Sequence, residues 1–256
     1  MRIRHFIAIL MLLAFGCARL SFESHLEQEG RAHYFHGAKF DLALRQRVGQ
    51  MAFVAAFSGF RLLVAEGMYL HAHYLWQKVE WGGMKLDFDA ATALEPRSIL
   101  FWDQASWHMA YNASIAAYDD KKQPREALRA KAQREYWKVG EDYLLRGIAN
   151  NPDVPTLYIS LGNLYRYKYQ DHCKAADAYR QAAGISGAPV YAHRFAVYEL
   201  SECPGHDREA YEKLLALYKK GKEEQLPTLL KRLGILQEKL HVPADQKIYI
   251  PPPDHP

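Results

Sequence analysis

Along most of this chain the apolar positions return every three to four residues, the spacing of side chains that share one face of a helix. The clearest run lies between residues 152 and 189. Tyr158, Leu161, Gly162 and Tyr165 mark one helix face, and Ala175, Tyr179 and Ala182 form a small-large-small stripe on a second helix, closed by Pro189. Small residues at that spacing let two antiparallel helices approach closely while the rings fill the gap between them. β-Branched residues are thin and no sustained alternation occurs, so the predicted fold class is all-α.

The hairpin pattern resembles a tetratricopeptide repeat, whose period is about 34 residues. Such a unit hides its apolar face only against neighbours, so further copies are expected. Upstream, Gly59-Phe60-Arg61, Ala65-Glu66, Tyr69-Leu70 and Trp76 resemble the opening of exported tetratricopeptide-like proteins of bacteria, which have no established chemistry. That helix is expected to run to about Lys78, break at Gly82-Gly83 and return through Phe88, Ala91 and Leu94 to Pro96. In the next copy Trp102 takes the place of the first ring, Ala105-Ser106 of the Leu-Gly pair and Met109 of the second ring, and the helix extends to about Tyr118. Pro152 opens the best copy. Pro189 opens another, through Phe195, Val197 and Tyr198 to Ala210, Leu214 and Leu217, with Gly221 ending it. Leu226 to Leu240 reads as a polar-faced closing helix with Pro227 in its first turn, and residues 242–256 as an extended proline-rich tail.

The resemblance implies a right-handed α-solenoid of about four tetratricopeptide-like hairpins over residues 31–241. It also implies that the concave flank presents Glu66, Tyr69 and His73, then Asp103 and Trp107, then Ile159, Asn163 and Arg166. Rings supply contact area there, while amide and guanidinium groups fix the backbone or carboxylates of a captured protein or peptide segment.

At the N-terminus Arg2 and Arg4 precede an apolar run from Phe6 to Phe15, followed by Gly16, Cys17 and Ala18. Those zones are the ones of an export signal over residues 1–20. The run is shorter than the roughly 20 residues a membrane span needs. Leu13 to Cys17 resembles a bacterial lipobox with Phe15 as one residue too many, which implies lipidation at Cys17 and tethering at the periplasmic face of the cell envelope, with a cleaved signal and an uncleaved anchor as the alternatives. Met51 to Ala65 is also apolar, but Arg61 would be costly in lipid, so a buried repeat helix is the better reading.

The net charge of +4 is too small in a chain of 256 residues to argue for nucleic acid, which is not expected as a partner. Between 121 and 138 it is locally denser: Lys121, Lys122, Arg125, Arg129, Lys131, Arg134 and Lys138 stand against Glu126 and Glu135. The plain reading is a solvated helix with Leu128, Ala132 and Tyr136 packed inward, and the same stretch is the best candidate for a contact with anionic lipid.

Three cysteines are too few for a disulfide-stapled fold. Antiparallel pairing brings Cys173 and Cys203 together beside His172 and His206, which leaves a disulfide, free thiols or a zinc site open; export favours the disulfide. His71 and His73 point to different faces of one helix and do not share a metal. No phosphate-cradling glycine loop, H-E-x-x-H or G-x-S-x-G motif is present. No catalysis, metal, cofactor or small-molecule substrate is therefore expected. The rival readings are an envelope enzyme with an unrecognised groove and a cytosolic nucleic-acid or assembly adaptor.

Overall fold

The computed structural model describes Met11 and residues 59–248. Every regular element among the described residues is a helix, with no strand. The export segment with Cys17, residues 31–58 and the end of the tail lie outside them. No helix of the described residues is long and apolar enough to cross a membrane. The chain divides into two compact units, Met1–Met109 and Ala110–Pro256.

In the first unit α1 (Arg61–Gln77) packs on α2 (Trp81–Leu94), and α2 on α3 (Ile99–Trp107). Three contacts fix α1 and α2 as antiparallel: Arg61 pairs with Glu95 at 2.9 Å, His71 with Asp87 at 2.6 Å, and Leu75 lies over Gly83. The turn between them is not at Gly82-Gly83, which belong to the first turn of α2. It is at Lys78 to Glu80, where Val79 N–H donates to Trp76 O and Glu80 N–H to Leu75 O, the paired bonds of a Schellman close. Val79 thereby takes a φ of +62°, a conformation that β-branched residues rarely hold. Gly83 has a packing role instead, because a Cβ there would lie 3.0 Å from Leu75 Cδ1. Ala65, Ala90, Ala91, Leu94 and Phe101 form the core, and the Trp102 indole donates to Pro96 O at 2.9 Å, locking the start of α3.

After α3 the backbone widens into a π-helical turn, His108–Ala113, within which the boundary between the units falls. The second unit continues with α4 (Ser114–Asp119), α5 (Glu126–Asn150), α6 (Pro155–Leu164), a second π turn (Tyr165–Tyr169), α7 (His172–Ala183), α8 (Val190–Leu200), α9 (Asp207–Tyr218) and α10 (Pro227–Lys239). Each of its helices packs on the next in sequence, and α8 also packs on α10. Pro155 and Pro227 occupy first turns, where the missing N–H is no loss. Asp171 caps α7 by accepting from Lys174 N–H at 3.0 Å.

The tightest approach is between α6 and α7. A Cβ on Gly162 would lie 2.8 Å from the Tyr179 ring, which is fully buried and held by its hydroxyl donating to Asn163 Oδ1 at 2.7 Å. Further along, Val197, Ala210, Leu214, Leu217, Leu229, Leu233 and Leu236 share one core, each buried leucine contributing about 1.5–3 kcal/mol. Gln237 closes it by pairing with both backbone groups of Ile248, accepting at 2.7 Å and donating at 3.3 Å. Leu128 does not pack inward; it is 42% exposed.

Candidate binding site

The residues expected on a binding flank fall in both units, and each set is organised around a residue that the sequence did not single out. In the first unit that residue is His108, 2% exposed. His73 meets its ring edge-on at 5.0 Å, Trp107 at 5.0 Å and Trp76 at 5.3 Å, while Phe88 stacks at 5.7 Å. Tyr69 completes the chain of rings, 4.5 Å from His73 and 5.1 Å from Phe101. His73 Nδ1–H donates to Tyr69 O at 2.9 Å, since a carbonyl can only accept. Burial, reinforced by His73, pulls the His108 imidazole down to about 4, so it is neutral at pH 7. Glu66 sits near enough to Tyr69 to add to the upward push that burial gives its phenol. Trp107 is 44% exposed. Asp103 is half-buried on α3.

In the second unit the organising residue is Glu199 of α8, whose side chain is 1% exposed. His172 Nδ1 lies 2.7 Å from its Oε2, and Arg166 Nε lies 3.1 Å from its Oε1. The Arg166 approach lacks hydrogen-bond alignment at Oε1, so it is a close charge pair rather than a directed bond. The guanidinium carbon lies over the rings of Tyr167 at 4.9 Å and Phe195 at 5.4 Å. It also counteracts the upward push of burial on the Tyr179 phenol. Arg166, in the π turn, and Asn163, on α6, are therefore both fixed by partners in α7 and α8. Ile159 is not on this surface: it is 8% exposed, because α6 is sandwiched between α5 and α7 and its buried arc is wider than a single stripe.

Beside this cluster Cys173 and Cys203 are bonded to one another, their Cα atoms 4.8 Å apart. The bond ties the first turn of α7 to the turn after α8. With both sulfurs in that bond the zinc alternative has no thiolates, and His172 and His206 are turned to Glu199 and, at 3.1 Å, to Glu209. On the other flank of the π turn Glu141 accepts from the hydroxyls of Tyr165 and Tyr169, both at 2.7 Å. Burial and that carboxylate push both phenols up, so they stay protonated and donate to it.

Glu199 escaped the sequence reading because a lone glutamate in Val197-Tyr198-Glu199-Leu200 looks like a surface position. The one signal available was Arg166, 33 residues upstream. Compared with known protein families, with curated proteins and with solved structures, the chain matches none.

Proposed function

We propose that the chain is an exported, non-catalytic scaffold of the bacterial cell envelope, tethered through Cys17, whose tetratricopeptide-like hairpins stack into a right-handed solenoid and hold a segment of a partner protein. The observation that carries this reading is Arg166. Its guanidinium is braced by a buried carboxylate on one edge and by rings on its faces, with about a quarter of the side chain (26%) still exposed. A cation whose rotamer is already fixed loses little entropy on meeting a carboxylate or backbone carbonyls, which is how a preorganised binding surface gains affinity. Tyr167, 58% exposed beside it, supplies contact area. The antiparallel succession of helices, with the Gly162–Tyr179 approach at its centre, supports the repeat reading.

The test is a photo-crosslinking residue placed at Tyr167 in the full chain expressed in a bacterial envelope, with the exposed position of Glu212 on α9 as comparison. A discrete adduct from position 167, absent from position 212 and lost from the membrane fraction in Cys17→Ser, is the expected result. Equal adducts from both positions, or none from 167, would remove the reading.

A further inference from the structure

The basic stretch left aside by that function takes on a definite shape. Residues 126–139 of α5 contain no buried side chain, so with α4 they form a hairpin arm whose tip is the turn Asp120–Arg125. Three of its four acids are engaged within the arm: Asp120 Oδ1 accepts from Lys122 N–H at 3.0 Å, Glu126 accepts from the Tyr118 hydroxyl at 3.0 Å, and Glu135 pairs with Lys138 at 2.9 Å. Lys121, Lys122 and Arg125 are exposed at the tip. Lys131, Arg134 and Lys138 follow at i, i+3 and i+7 on the face opposite buried Gly140, Tyr143, Leu144 and Gly147. Between residues 119 and 138 seven basic residues meet four acids, so three of the chain's four net positive charges sit on this arm. Exposed apolar side chains stand among them: Ile115 at 49%, Tyr118 at 36% and Leu128 at 42%.

We infer that this arm docks on a bilayer surface carrying anionic phospholipid headgroups, its cations on the phosphates and its apolar side chains in the headgroup boundary. Charge complementarity sets the sign of the partner. The apolar side chains distinguish lipid from nucleic acid, because they gain nothing against a phosphate backbone but are rewarded at an interface, where lysine and arginine stems lie along the boundary with their heads in water. This second lipid contact is independent of the one expected at Cys17 and of the Arg166 surface.

Purified full-length protein is sedimented with vesicles of neutral phosphatidylcholine and with vesicles containing phosphatidylglycerol. Binding to neutral vesicles reports the N-terminal segment; the increment on adding anionic lipid reports the arm. That increment should vanish at high salt, where charges are screened beyond a few ångströms. Each basic residue near such a surface is worth about fivefold, so Lys121→Gln/Lys122→Gln/Arg125→Gln/Lys131→Gln should lower the increment more than a hundredfold with an unchanged melting temperature. Ile115→Ser/Leu128→Ser, with every charge in place, should also lower it. An increment of zero in the wild type, one that survives the fourfold variant, or a duplex RNA that binds the arm more tightly than anionic vesicles would each overturn the inference.

Discussion

At the scale of single residues, the second unit turns on an asymmetry between Glu199 and its cations. Glu199 is buried, whereas Arg166 and His172 keep 26% and 36% of their side chains in solvent. Removing the arginine leaves a buried carboxylate short of a partner, while removing the glutamate releases cations that water can rescue. Arg166→Met should therefore cost about 3 kcal/mol, in the range for breaking a buried pair from one side. Adding Glu199→Leu to it should recover much of that loss, which a double-mutant cycle in urea would show. Gly162→Ala should cost about 1–3 kcal/mol through overpacking, since the Tyr179 ring has nowhere to move. That cost should shrink in a Tyr179→Leu background. In the first unit, His108 has a folded pKa of about 4 against 6.5 unfolded. Above pH 6.5 both states are neutral and stability is unaffected; between 6.5 and 4 only the unfolded state takes up the proton, so stability falls by up to about 3 kcal/mol as pH drops. Four of the five tryptophans precede residue 110, so indole fluorescence follows this unit's unfolding. His108→Phe should flatten the pH dependence across that window.

At the scale of elements, much was legible. The α6–α7 hairpin and the closing helix α10 with Pro227 in its first turn follow from apolar spacing and first-turn chemistry, because those are local rules written into adjacent residues, although α6 starts at Pro155 rather than at Pro152. What was not legible is equally physical. The two π turns have no side-chain signature, so a reading by helical period passes straight through His108–Ala113 and Tyr165–Tyr169. Glycine usually marks a close, which points to Gly82-Gly83 for the break between α1 and α2, and the chain instead closes α1 on Val79. That valine holds a left-handed conformation while 60% exposed, so it gives up strain for little burial. Val79→Gly should stabilise the first unit by about 1 kcal/mol in the same urea measurement. The Cys173–Cys203 bond closes a span of 30 residues across α7 and α8. Loop-closure entropy puts its worth at about 3–4 kcal/mol, so Cys173→Ser/Cys203→Ser should lose that much and become insensitive to reductant.

At the scale of the whole molecule, the first unit supplies a buried ring cluster around His108, and the second supplies a paired guanidinium and a basic arm. None of the three is marked by a sequence motif. Arg166 stands out in the sequence, whereas Glu199, which pairs with it, and His108, which gathers the rings of the first unit, required the tertiary pairing. The claim on which the account rests is that the Arg166 surface holds a partner segment. It is tested most directly by amide hydrogen exchange on the purified full chain, with and without the segment recovered from the position-167 crosslink. The account predicts added protection confined to α6, the Tyr165–Tyr169 turn and α8, and its loss in Tyr167→Ala. Protection elsewhere in the chain, or none at all, would contradict it.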